Sequence, residues 1–226
     1  MITVRDMQTV YQVPLLLEQQ GLVNLLRGAL LLDKLTIPPA LADKGAERWK
    51  LWNKTVLPKQ HVERVDIALV GKYVETHDAY LSVVKALEHS AMWCNKALSI
   101  KWVDSEHLED STQDSDPTKY HQAWHAVCTA SGVVIPGGFG ERGVGGMIKA
   151  ACWTRTKQVP MLGICLGMQV VIIEAMRNLC GNKSATSEEF EGHSGDSVVI
   201  FMPEGSRTEK GGTMRLVYNP GRVSKS

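Results

Sequence analysis

A chain of 226 residues that is 44% hydrophobic has room for one α/β domain with an appendage, and enough apolar side chain to bury a core. Its 25 Lys and Arg nearly balance 24 Asp and Glu, with no basic patch, which excludes a net field for nucleic acid or an anionic membrane. Five cysteines (Cys94, Cys128, Cys152, Cys165 and Cys180), odd in number and never spaced C-x-x-C, argue against a disulfide framework or a zinc site and for a reducing compartment. The first residues carry no signal-like apolar run, and no segment approaches the roughly 18 apolar residues of a membrane span, so the expected location is the cytoplasm.

In chain order, residues 9–32 start as a short strand or turn ending at Pro14. A helix is expected next, with Leu15, Leu16, Leu22, Leu25 and Leu26 along one side, weakened by Gly21 and Gly28. Residues 33–63, with prolines at 38, 39 and 58 around ERWKLWNK, read as a linker containing a short helix. The pattern then alternates. Residues 65–70 form a short buried strand, 78–94 an amphipathic helix with Tyr80, Val83, Val84, Leu87 and Met92 inward, and 98–103 a second strand. The acidic, Ser/Thr-containing stretch 104–119 reads as a solvated loop. The apolar run 126–135 leads into Pro136-Gly137-Gly138-Phe139-Gly140. A helix at 147–156, a strand at 159–164, a helix at 166–178 and a strand at 196–202 follow. Strands alternating with helices imply parallel pairing with helices on both sheet faces.

Two glycine-rich stretches carry chemistry. In PMLGICLGMQ (160–169) a lone Cys165 stands between Gly163 and Gly167, just after an expected strand and just before an expected helix. That is the strand–turn–helix device of a nucleophile elbow, with glycines admitting a strained backbone. A helix N-terminus favours a thiolate, and the N–H of Leu166 would face an oxyanion. The alternative is a buried structural cysteine, the usual state of cysteines in apolar runs. In PGGFGERGVGG (136–146), residues 138–143 match G-x-G-x-x-G, the dinucleotide fingerprint. That fingerprint needs an acidic residue roughly 20 positions on, and none occurs between Arg142 and Glu174. A glycine turn offering backbone N–H groups to an oxyanion fits better, with a merely structural turn as the alternative.

PGGFGERG followed by LGICLGMQ resembles the class I glutamine amidotransferases, and among them the glutaminase domain of the CTP synthase family, ligases that aminate UTP to CTP with ATP and glutamine. VGKYVETHDAYLSVVKALEH (70–89) is similar to that family's first strand and helix, SEEF (187–190) to its glutamine-binding acidic segment, and GGTMRL (211–216) to a further stretch. TVYQVPLLLEQQGL (9–22) resembles the end of the preceding synthetase domain. The resemblance implies a flavodoxin-like α/β sandwich with a central, mostly parallel sheet, incomplete at the C-terminus. It divides the chain into a synthetase remnant (1–32), a linker (33–63), a partial glutamine amidotransferase domain (64–216) and an unrelated tail (217–226).

Position by position, the resemblance makes Cys165 the nucleophile that forms a glutamyl thioester, with Gly138 and Leu166 as the oxyanion hole. It assigns glutamine binding to Gly138, Phe139, Gln169 and Glu189. Glu189 is preferred to Glu188 because it directly precedes Phe190, and Arg142 matches a lid-like loop. It implies no metal and no cofactor in this chain, with ATP, UTP and Mg belonging to the full-length enzyme. Expected partners are glutamine and intact CTP synthase subunits, the full-length family being homo-oligomeric and regulated by GTP, with no nucleic-acid or membrane partner.

Two departures qualify this. The family's His and Glu lie in an H-P-E motif that these 226 residues do not contain. Of seven histidines (His61, His77, His89, His107, His121, His125 and His193) only His193 follows Cys165, in a Gly/Ser-rich loop where it reads as solvated rather than as a substitute base. The synthetase domain is represented only by its final helix, which implies truncation at both ends. The expected function is the glutamine-hydrolysing half of a CTP synthase. The alternative is an inactive fragment serving at most as a glutamine-binding or assembly module.

Overall fold

In the computed structural model, which describes residues 2–7, 9–57, 62–190 and 196–200, the chain falls into two units. One comprises Met1–Arg64 with Ala86–Ala97, the other Val65–Lys85 with Leu98–Ser226. Among the described residues no helix is long and apolar enough to cross a membrane.

The first unit is helical. A 3-10 turn at Val10–Gln12, capped by the Thr9 hydroxyl, runs directly into α1 (Val13–Gln19). Pro14 therefore opens a helix instead of closing an extended segment: in the first turn its missing N–H breaks no hydrogen bond. α1 stops at Gly21, which takes φ +81°, and α2 (Leu22–Ala29) follows. The expected leucine stripe is only partly covered, Leu15 being buried while Leu25 and Leu26 are exposed. α3 (Pro39–Val56) spans 18 residues, far more than the short helix expected, again with a proline in its first turn. Trp49 Nε1 donates to Glu18 Oε2 at 2.9 Å, and the buried Gln12 amide donates to the Val56 carbonyl at 3.0 Å.

The second unit is built on strands β1 (Glu63–Gly71), β2 (Lys96–Asp104), β3 (Gly132–Ile135) and β4 (Met161–Gly163), in the order β2-β1-β3-β4. β1 pairs with β3 and β3 with β4, both parallel, with Leu69 opposite Val134 and Ile135 opposite Gly163. This is the flavodoxin-like winding, whose strand order reverses between β1 and β3 and whose ligands lie off the carboxyl ends of the strands. All of β3 is buried, as an interior parallel strand should be. In chain order α4 (Leu81–Trp93) follows β1, its residues from Ala86 onward belonging to the first unit, and the 3-10 turn before it buries Tyr80. The core joins Ala68, Val70, Val133 and Ile135 of the sheet to Met147, Ala150 and Ala151 of α7 (Val144–Lys157) and Val170 and Ile173 of α8 (Leu166–Asn178).

The largest departure from expectation is the stretch 104–119. It is no solvated loop but a 3-10 turn (Ser105–Leu108), helix α5 (Asp110–Ser115) and the start of α6 (Pro117–Cys128), and Ser105 and Leu108 are fully buried. Two of its acidic residues are caps: Asp104 Oδ1 accepts from the Glu106 N–H at 2.9 Å, and Asp116 Oδ1 from the Lys119 N–H at 3.1 Å. The apolar run 126–135 accordingly splits, its first residues closing α6 and its last forming β3. The strand expected at 196–202 is present as β6 (Ser197–Val199), with 201 and 202 outside the described residues. It pairs in parallel with β5 (Thr186–Ser187), a strand the sequence did not suggest, in a separate two-stranded sheet. His61, His193, the GGTMRL stretch and the tail also lie outside the described residues.

Candidate active site

The carboxyl ends of β1, β3 and β4 converge on one set of turns. Leaving β4, the chain passes through Ile164, whose N–H donates to the Ile135 carbonyl at 2.9 Å, and reaches Cys165 as the N-cap of α8. Cys165 takes φ +54° and ψ −111°, a conformation that costs an L-residue about 1–3 kcal/mol. The strain expected of the flanking glycines thus falls on the cysteine itself. The glycines serve close approach instead: a Cβ on Gly167 would stand 2.0 Å from the Ile135 oxygen, and one on Gly163 2.6 Å from the Gly167 oxygen. Cys165 is exposed, which excludes the buried structural cysteine as an alternative.

The turn after β3 flanks the thiol. A Cβ on Gly137 would lie 3.8 Å from the Cys165 sulfur, and one on Gly138 would meet Leu166 and the Lys72 stem, each at 3.4 Å. Gly138, Cys165 and Leu166 are therefore neighbours although 27 residues separate the turn from the cysteine (165 − 138). Glu189, just beyond β5, reaches the same turn, its Oε1 accepting from the Gly140 N–H at 3.0 Å. Glu188 instead donates its own N–H to the Val199 carbonyl at 2.9 Å, alongside β6. Phe139 presents a half-exposed ring. Gln169 sits one turn into α8, its N–H donating to the Cys165 carbonyl at 3.1 Å, and its side-chain oxygen is buried with no hydrogen-bond partner among the described residues.

Lys72, to which the sequence pattern assigns no role, holds this turn together with Arg142 and Tyr80. Lys72, at the end of β1, is 3% exposed, and its ammonium donates to the Phe139 carbonyl at 3.0 Å and to the Gly140 carbonyl. Burial pushes its pKa down, against the upward pull of Glu189. Arg142 donates to the Lys72 carbonyl, pairs with Glu106 at 3.2 Å and lies over the Tyr73 ring. The Tyr80 hydroxyl accepts from the Lys72 N–H at 3.0 Å and from the Tyr73 N–H at 3.3 Å, and burial raises its pKa. A lysine directly after an apolar strand was the available signal. That placement gives the position of the lysine but not its partners, carbonyls 67 and 68 residues away.

The arrangement sets an exposed thiol at a helix N-terminus beside a glycine turn with backbone N–H groups, a carboxylate and an amide oxygen that has no hydrogen-bond partner among the described residues. A thiol so placed can add to a carbonyl carbon and form a thioester. The sequence family described as glutamine amidotransferase class-I matches residues 75–224. A CTP synthase of Neurospora crassa is 60% identical over 215 residues, which are 95% of this chain and 37% of that protein. Human CTP synthase 1 is 44% identical over 95% of this chain and 35% of its own length. A solved structure described as the glutaminase domain of Trypanosoma brucei CTPS with bound acivicin aligns with a TM-score of 0.54 at 39% identity, covering 64% of this chain and 52% of that one. The chain thus spans little more than a third of the length of these curated relatives.

Proposed function

Because the chain belongs to the class-I glutamine amidotransferase family, we propose that it carries the glutamine-hydrolysing site of a cytoplasmic CTP synthase, the ligase that aminates UTP to CTP with ATP and glutamine. The observation that carries this reading is the exposed Cys165 at the head of α8, flanked by the Gly137-Gly138 turn. The Cys165 thiolate attacks the side-chain amide carbonyl of glutamine. The oxygen becomes an oxyanion held by the N–H groups of Gly138 and Leu166. Collapse breaks the C–N bond and leaves a glutamyl thioester. The proton the thiol gave up is the one the departing ammonia needs, and water then hydrolyses the thioester to glutamate. Phe139 and Gln169 hold the substrate, and Glu189 receives its ammonium.

The proton carrier between thiol and leaving nitrogen is the role of the family's H-P-E histidine, and the 226 residues contain no H-P-E. General acid–base help is worth about 10²–10⁴-fold, so a polypeptide of these residues alone turns glutamine over negligibly. That observation favours, for the isolated polypeptide, a second reading: a glutamine-binding or assembly module for intact CTP synthase subunits. ATP, UTP and Mg are assigned to the synthetase part of such an enzyme. Among the described residues no group of three His, Cys, Asp or Glu gathers to hold a metal.

The test is protection. Glutamine should slow alkylation of Cys165 by iodoacetamide, read by peptide mass spectrometry, while leaving the exposed Cys180 unaffected. Equal labelling of Cys165 with and without glutamine sinks the glutamine-site reading. Ammonia release should match that of Cys165→Ala, and release above that control sinks the claim of negligible turnover.

A further inference from the structure

We propose that Lys72 is a positioning residue for the oxyanion turn, its buried ammonium and the Glu189 carboxylate gripping one peptide unit from its two edges. This rests on the reading of Cys165 and Gly138 given above. In a trans peptide the C=O and N–H point in opposite directions. The Phe139 carbonyl accepts from Lys72 Nζ at 3.0 Å, and the N–H of the same peptide, that of Gly140, donates to Glu189 Oε1 at 3.0 Å. A cation on one edge and an anion on the other fix the plane of that peptide. One residue back from Phe139 along the chain is Gly138, the residue whose N–H the reading above assigns to the oxyanion.

Lys72 is bound to the turn at three points. Its ammonium also reaches the Gly140 carbonyl, and its own carbonyl accepts from Arg142, so residues 139, 140 and 142 are all tied to it. Its stem and the Leu166 side chain both border the space that a Cβ on Gly138 would fill, so the same side chain also packs against the turn. A residue needed only for packing would be apolar here: Ala68, Leu69 and Val70, just before it, are fully buried. Burying an ammonium is costly unless it is hydrogen-bonded, and the bonds it makes are to the turn.

A pair of reagents separates positioning from general structure. Acylation of Cys165 by p-nitrophenyl acetate passes through an oxyanion: the thiolate adds to the carbonyl, p-nitrophenolate leaves, and a thioester remains. Alkylation by iodoacetamide displaces iodide at a saturated carbon and makes no oxyanion. Lys72→Met, which fills the space without donors, should lower the acylation rate of Cys165 about 10- to 100-fold, the range expected when an oxyanion donor is displaced, and alter alkylation less than about threefold. Lys72→Arg, which keeps the donors, should restore most of the acylation. If Lys72→Met does not melt cooperatively, the acylation-to-alkylation ratio of Lys72→Gln decides on the same terms. An unchanged ratio, or a parallel fall of both rates, overturns the proposal while leaving Cys165 as nucleophile. Wild-type acylation of Cys165 no faster than that of Cys180 overturns the nucleophile reading, and this proposal with it.

Discussion

Arg155 of α7 grips Glu174 of α8 through both carboxylate oxygens, at 2.8 to 3.1 Å, although Glu174 is only 2% exposed. Asn178 adds a further donor at 2.9 Å. Burial alone would raise the Glu174 pKa. The Arg155 fork and Asn178 outweigh it and hold the carboxyl below its ordinary value of 4.5. The pair ties the helix that follows the glycine turn to the helix that carries Cys165 at its head.

A depressed carboxylate pKa gives stability that is present above the unfolded value and lost as pH falls through the folded one. Wild-type stability should therefore decline below about pH 4.5, in part through Glu174. Arg155→Met leaves a buried carboxylate without its cation, with only Asn178 and the Cys152 thiol as side-chain partners among the described residues, and should lower the urea midpoint clearly at pH 7. The gap to wild type should narrow as pH falls, because protonation removes the ion pair in one protein and relieves the unpaired charge in the other. A gap that is constant from pH 7 to pH 4 contradicts this account.

Gly167→Ala tests the elbow. Its Cβ would meet the Ile135 carbonyl at 2.0 Å, and that oxygen already accepts the Ile164 N–H, so neither partner moves freely. The head of α8 must shift away from β3, at a cost of about 1–3 kcal/mol for an overpacked site. We expect a lower urea midpoint together with loss of glutamine protection at Cys165. Gly181→Ala, which meets no neighbouring atom, should leave protection intact and register only the strain of its φ of +76°. Retention of protection in Gly167→Ala would show that the contact does not set the thiol's position.

Leu108→Ala should cost about 2–5 kcal/mol in urea unfolding, because the side chain is fully buried within the core cluster. A residue of a solvated loop would register within about 0.5 kcal/mol. A small effect here would mean that the 104–119 stretch does not pack as described.

That stretch marks where the sequence was illegible. Asp104, Glu109 and Asp116 read as solvating charge by composition, yet Asp104 and Asp116 cap helical turns, and Glu109 accepts the Gly146 N–H at 3.3 Å in the first turn of α7. Capping acids and solvated acids have the same composition, and only the backbone distinguishes them. α8, by contrast, was legible to the residue, because glycine, apolar spacing and length all agree there. The neighbourhood of Cys165 and Gly138 was legible because each lies at the end of an apolar strand, and parallel strands bring their carboxyl ends together. Lys72 was not, since its role depends on carbonyls 67 and 68 residues away that no local pattern announces.

Gln169 offers the sharpest separation of stability from binding. Its side-chain oxygen is buried and unpaired among the described residues, a state that costs about 1–3 kcal/mol in the ligand-free protein. Gln169→Met keeps the length of the side chain and removes the polar atoms. It should leave stability unchanged or raise it by about 1 kcal/mol, while abolishing glutamine protection of Cys165. A glutamine that serves packing alone gives the reverse, with stability falling and protection persisting. Urea unfolding and the alkylation assay on the same preparation distinguish the two, because strain relieved by a ligand and strain relieved by a methyl group have opposite consequences for binding.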